Sequence, residues 1–238
     1  MEYTFYDIDS FPRDICSIEK HVPLRSKGRK TEHTERYSLV SFLEAFHLEN
    51  LFTFPFKVIF RDRPDVLIVL PKGNVGLEIT EAIPEQLARA QYLLEKNFAG
   101  LRKLEPQFFG WDAPERNDEE ILEILRKSQV QLIGKPPYGN SIEDKWLIGI
   151  EKCITNKTKK LSKPGFEKFK TTWLLIYDNQ SDPTFDDNYV LQELSPLFDN
   201  YWNINIPAFD KIFIDLGKRF FLIENGSALL VTPKAYKK

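Results

Sequence analysis

Cysteine, histidine and net charge are all scarce in this chain, and each scarcity removes a class of function. Only two cysteines, Cys16 and Cys153, stand among 238 residues. They form neither a disulfide framework nor a metal-ligand spacing, which fits a reducing compartment. The three histidines, His21, His33 and His47, have no ligand spacing either, so no zinc site is expected. Formal net charge is -2, so any case for nucleic acid must be local. No apolar run is long enough to cross a bilayer. The opening "MEYTFYDIDSF" lacks the basic and apolar regions of a secretory signal. A soluble cytoplasmic protein, with no membrane partner, is the expectation. No glycine-rich phosphate cradle precedes a helix, since "GNVG" falls in a hairpin turn. No serine sits in a nucleophile elbow.

What the chain does have is apolar bulk. The apolar fraction is 42% and there are 19 phenylalanines, enough for one large core. A single domain over residues 1–238 is expected, with a helical insertion at about 84–140. Residues 1–30 read as irregular and end in the basic "RSKGRK". A helix follows, because Leu39, Phe42, Leu43 and Phe46 recur at helical spacing, with Thr31 or Thr34 as its cap. "LFTFPFKVIF" reads as a strand broken or entered at Pro55, and "DVLIVL" and "VGLEITEA" as a hairpin. "DVLIVL" is apolar on both faces, which predicts a central strand covered on both sides. Pro84 opens a further helix, "NDEEILEILRKSQ" is another, and a long one spans about Ser141 to Leu161. "TTWLLIYDN", "KIFIDLG" and "FFLIEN" are strands, the last closed by "NGS". The order predicts an α/β (α+β) domain with a mixed sheet flanked by helices. The aromatic "FDNYWNINIPAFDKIF" reads as core and loop packing.

The hairpin poses a chemical question. Asp65 starts one strand and Glu78 lies inside the other, and a buried carboxylate is costly unless paired or metal-bound. A two-residue turn at Lys72-Gly73 and a four-residue turn at Pro71 to Asn74 give the same pairing. Asp65 then faces Thr80, and Leu67 faces Glu78. Diagonal neighbours lie ~7–8 Å apart, so Asp65, Glu78 and Thr80 share one face. Two carboxylates converging there suit a hard cation such as Mg²⁺.

The residues "PD" at Pro64-Asp65 and "EIT" at Glu78-Ile79-Thr80, within "GLEITEA", carry a resemblance. This stretch, about residues 31–82, resembles the PD-(D/E)XK nuclease superfamily, and in particular uncharacterised bacterial members with a Glu-x-Thr strand. Segment 141–178 fits that pattern more loosely. The resemblance implies the restriction-endonuclease-like fold: a helix, a three-strand meander, a helix and a strand. It implies metal-dependent phosphodiester hydrolysis of DNA, in preference to RNA, with Asp65 and Glu78 holding Mg²⁺ or Mn²⁺. Many members cut as dimers, so a homodimer is compatible with it.

Thr80 stands where that superfamily carries a lysine that positions the attacking water. An active enzyme would need the charge from another element. On the long helix, Ile150, Ile154, Lys157 and Leu161 lie on one stripe. Lys157 therefore extends the packed face, with Lys160 beside it. The plainer reading is a solvated basic helix end that complements the dipole. On the first helix Glu35 shares the inward stripe, and the resemblance implies a glutamate there near the metal; a first-turn acid is the plainer reading. The expected site is thus Asp65, Glu78, Lys157, Lys160 and Glu35. Basic segments 25–30 and 152–170 would track the phosphate backbone. The alternative function is a non-catalytic nucleic-acid- or protein-binding module of the same fold, within a defence or mobile-element system.

Overall fold

A computed structural model describes residues 1–99, 103–134, 138–178, 185–202 and 209–236, with backbone only for 198–202. An eight-stranded mixed sheet is assembled in chain order. Strands β1 (Glu2–Phe5), β2 (Phe56–Phe60), β3 (Val66–Leu70) and β4 (Gly73–Glu81) are mutually antiparallel. Strands β4, β5 (Thr171–Tyr177) and β6 (Lys211–Asp215) are parallel. Strands β7 (Phe220–Glu224) and β8 (Ser227–Val231) return antiparallel. Parallel neighbours need long crossovers, and the helices fill them. Before the meander come α1 (Phe11–Asp14) and α2 (Thr31–Phe46); the first crossover holds α3 (Glu85–Asn97), α4 (Asp118–Val130) and α5 (Ser141–Leu161), and the second holds α6 (Asp187–Trp202). The protein is an α/β protein, with six α-helices among the described residues.

Each sheet face has its own core. Leu39, Phe42 and Phe46 of α2 pack with Val66, Ile68, Leu77, Trp173 and Phe213. On the other face Trp146, Ile150 and Ile154 of α5 pack with Leu174, Ile176, Ile212 and Val190. The helical insertion makes a third cluster of its own, with Leu87, Leu94, Ile121 and Leu125. Within the insertion, residues 100–102 and 135–137 lie outside the described set.

Several expectations are corrected. Residues 1–30 are not wholly irregular: β1 pairs with β2 at one sheet edge, and Phe5, Phe11 and Ile15 are core residues. The "NGS" stretch does not close the sheet. Asn225 and Gly226 both have positive φ, as a tight primed hairpin turn requires, and the chain returns as β8. Helix α6 has no counterpart in the sequence reading. Of "FDNYWNINIPAFDKIF", residues 203–208 lie outside the described set, while Phe209, Ile212 and Phe213 are buried. The cap of α2 is neither threonine: Lys30 takes that position, and the His33 ring accepts its N–H at 2.9 Å. Strand β3 is third of eight, but only Val66 and Ile68 are fully buried; Leu67 and Val69 are half-buried. Among the described residues no helix is long and apolar enough to cross a membrane.

Candidate active site

The hairpin turns through Pro71-Lys72, and Leu70 pairs with Gly73. That register is two residues away from the expected one. A shift of two keeps every side chain on its predicted face, whereas a shift of one would invert it. Continuing the ladder one step beyond the Val66–Leu77 pair sets Asp65 directly opposite Glu78, not Thr80. The parallel register then pairs Glu78 with Leu174 and Thr80 with Ile176. Leu174 and Ile176 belong to the α5 face, so Glu78 points toward α5.

Helix α5 answers with a cation. Its stripe of Ile150, Ile154, Lys157 and Leu161 is buried throughout. Lys157 Nζ donates to Asp65 Oδ2 and to Glu78 Oε2, each at 2.7 Å. The side chains of Lys157, Asp65 and Glu78 are only 7%, 15% and 3% exposed. Asp65 Oδ2 also accepts the Ile79 N–H at 2.7 Å. These bonds fall on Asp65 Oδ2 and Glu78 Oε2. Burial works against the Lys157 ammonium, but the two carboxylates outweigh it and hold its pKa above the ordinary lysine value. For Glu78, burial dominates, and Asp65 adds repulsion; together they outweigh Lys157 and raise the carboxyl above the ordinary range.

Asp65 and Lys157 line a cavity of about 250 Å³, with Glu78 buried behind them. Glu35 lines it from α2, Thr80 and Glu81 from β4, and Lys160 from the next turn of α5. Thr80 brings no charge. Lys160 is exposed, as are Lys159, Lys163, Lys168 and Lys170. Lys152 is turned away, donating to the Trp111 carbonyl at 2.9 Å. Burial, with the charge of Asp65 and Glu78 added, pushes the Glu35 carboxyl up to about 7 against the pull of Lys157. Glu32 is exposed on the first turn of α2.

Glu35 sets a pH dependence whose sign is fixed. A carboxyl raised from 4.5 to about 7 holds more protons folded than unfolded between those values. Stability therefore falls as pH rises through that window. Glu35→Gln should leave Tm unchanged at pH 4 and raise it at pH 8, as read by thermal melts across pH. Equal shifts at both pH values would contradict the assignment.

The sequence reading missed one part of the cleft. Arg25 and Arg29 were expected in a basic segment lying along a polyanion. Both instead fold inward onto Glu81: Arg25 Nη2 reaches both of its oxygens, and Arg29 Nη2 reaches Oε1, all at 3.1 Å. Arg29 also donates to Thr34 Oγ1. The insertion anchors this segment, since Gln91 accepts from Arg25 Nε and Glu95 accepts the Ser26 N–H, both at 2.8 Å. The signal available was Glu81 itself, a second carboxylate in "EITEA" needing a cation of its own.

The donor set suits a particular kind of metal. Two carboxylates offer hard oxygen ligands. Among the described residues no cluster of three His, Cys, Asp or Glu forms a metal cage. Mg²⁺ is usually held by one or two carboxylates plus waters and substrate phosphates, so two are sufficient for it. Zinc or a fully protein-caged Ca²⁺ is a poorer match.

Compared with protein-family models, curated proteins and solved structures, the chain matches none of them.

Proposed function

We propose that the protein is a metal-dependent phosphodiesterase acting on nucleic acid, DNA in preference to RNA, with Asp65 and Glu78 holding Mg²⁺ or Mn²⁺. One observation carries this reading. A lysine 92 residues from Asp65 and 79 from Glu78 bonds both carboxylates at 2.7 Å, and it lines an open cleft together with Asp65. The resemblance of Pro64-Asp65 and Glu78-Ile79-Thr80 to the PD-(D/E)XK nucleases supports it. So does the chain order of α2, a three-strand meander, α5 and β5.

Each residue has a definable part. Asp65 is fixed by the Ile79 N–H and Lys157, so its carboxylate is preorganised before any ligand arrives. Glu78 is buried beside it. Lys157 supplies from α5 the charge that Thr80 lacks in the strand. Its raised pKa keeps it protonated at neutral pH, so it acts as a cation toward a phosphate oxygen or a water, not as a base. Bound Mg²⁺ would neutralise phosphate charge and acidify the attacking water. Glu35, near 7, can hold or release a proton at the opposite wall. Lys160, exposed at the rim, draws the polyanion in.

The test is nicking of supercoiled plasmid and cleavage of labelled single-stranded DNA and RNA, with Mg²⁺, Mn²⁺ or chelator. Cleavage that needs a divalent cation supports the reading. Lys168→Met, on the exposed tail beyond α5, should retain near-wild-type rates. Absence of cleavage with every metal and substrate would favour the non-catalytic binding module instead.

A further inference from the structure

One end of the cleft is closed, and that end is cationic. Arg25, Arg29 and Lys30 line the same cavity as Asp65 and Lys157. The 3₁₀ turn Arg25–Lys27 forms the end, and α3 backs it: Gln91 accepts from Arg25 Nε and Glu95 from the Ser26 N–H, both at 2.8 Å. Arg29 closes the side, donating to Thr34 Oγ1 and to Glu81 at 3.1 Å. It thereby parts the cleft from a neighbouring cavity of about 330 Å³ that it also lines. The cleft holds about 250 Å³, less than the ~300–1,000 Å³ of a drug-sized ligand pocket. A strand end fits such a space, and a duplex running through it does not.

Charge at this end does not balance. The side chains of Arg25 and Arg29 are 18% and 14% exposed, and both pair with one carboxylate, Glu81. A buried charge is costly unless it is paired, so two guanidiniums on one carboxylate leave a positive charge that an anion would answer. Glu95 stands behind the turn on α3 and accepts from Ser26. Lys30 is exposed and adds charge of the same sign. In both arginines the bonds to Gln91, Glu81 and Thr34 fall on Nε and Nη2, one edge of a planar fork that carries further N–H donors. Two forks fixed against one carboxylate are preorganised for an oxyanion, which accepts from several donors at once.

We infer that Arg25 and Arg29 form a subsite for the terminal phosphate of a nucleic-acid strand, so that the protein acts on phosphorylated strand ends. A terminal phosphate monoester carries about -1.5 to -2 charge at neutral pH and three acceptor oxygens. An internal diester carries a single charge and fewer free oxygens, so a doubled guanidinium favours the end over the interior. Glu81 lies three residues beyond Glu78 on β4, about 10 Å along the strand. The held end therefore sits close to the Asp65–Glu78–Lys157 triad, and the bond cut would be one near that end. The inference rests on the phosphodiesterase reading for the identity of the ligand as nucleic acid.

The test needs neither metal nor cleavage. Wild-type protein is titrated in chelator with short single-stranded DNA of one sequence, followed by fluorescence anisotropy. One pair of oligomers is labelled at the 3′ end and carries a 5′-phosphate or a 5′-hydroxyl; the other pair is labelled at the 5′ end and carries a 3′-phosphate or a 3′-hydroxyl. A phosphate at one of the two ends should tighten binding about tenfold or more, the weight of hydrogen bonds to a charged group, and the pair that responds identifies the end. This comparison needs no variant. Arg29→Gln should lose the advantage. Arg29→Lys keeps a charge beside Glu81 and should still lose most of it, because lysine has no planar fork. No binding of any oligomer, equal affinity within both pairs, equal gains from both ends, or an intact advantage in folded Arg29→Gln would overturn the inference. A phosphate advantage without cleavage under any metal would fell the phosphodiesterase reading and leave the subsite standing. Metal-dependent cutting of supercoiled plasmid and hydroxyl-ended strands as fast as of phosphorylated ends would do the reverse.

Discussion

Lys157→Met should lower the single-turnover rate of the proposed cleavage by about 100-fold or more, the usual cost of losing one preorganised transition-state donor. The same change should destabilise the metal-free protein. The ammonium is 7% exposed and bonds two carboxylates, and removing one partner of a buried ion pair costs about 3–5 kcal/mol. In a chain of this size that corresponds to roughly 6–20 °C in Tm. The loss has a sign in pH. Without the ammonium, the folded pKa of Glu78, already raised, rises further above its unfolded value. The penalty therefore grows as pH climbs above the ordinary carboxylate range and fades below it. Lys160→Met removes an exposed charge, so it should leave Tm nearly unchanged and weaken binding only slightly, because one phosphate contact is a small part of a many-contact interface. Near-wild-type cleavage by Lys157→Met would remove this lysine from the chemistry. An unchanged Tm in that variant would contradict the buried ion pair itself.

Mg²⁺ should raise the Tm of the wild type, because a ligand that binds only the folded state stabilises it by mass action. At a hundredfold excess over Kd the gain is about 2.7 kcal/mol, or roughly 5–10 °C. Competition from Lys157 for the same carboxylates reduces the apparent affinity, so the response should saturate late. Asp65→Asn and Glu78→Gln each remove one of the two charged ligands and should each abolish most of the shift. Lys157→Met should instead enlarge it, since the vacated carboxylates gain a cation they otherwise lack. Differential scanning fluorimetry with Mg²⁺ titration, chelator and a Ca²⁺ control reads all four proteins. A full Mg²⁺ response in both carboxylate variants would exclude a shared metal site at this position.

The candidate site was legible where local pattern suffices. Alternation in the hairpin fixed which face Asp65 and Glu78 occupy. The spacing of Ile150, Ile154 and Leu161 pointed Lys157 inward. Both inferences depend on periods of about two and 3.6 residues, and a period is a property of a short stretch. Even the mistaken register preserved the result, because an error of two residues leaves parity intact. Glu35 followed in the same way from the stripe through Leu39 and Phe42. Helices α2 and α5 and strands β2 to β7 were likewise present in the apolar pattern, apart from their ends.

Tertiary structure decided what no window of sequence contains. It set Lys157 against two carboxylates that lie 92 and 79 residues away, a contact that exists only because α5 crosses back over the sheet between the parallel strands β4 and β5. It turned Arg25 and Arg29 inward onto Glu81, with Gln91 and Glu95 of α3 holding the segment in place; a run of basic residues reads the same whether solvated or paired. It recruited β1 and β8 as sheet edges, since the ladder bonds that make a short segment a strand come from its neighbour. Composition and periodicity thus determined the α/β class and the faces of the individual elements. Parallel pairing and long-range charge compensation were settled by packing, because burial and ion pairing are energies of the whole chain and have no expression in a local period.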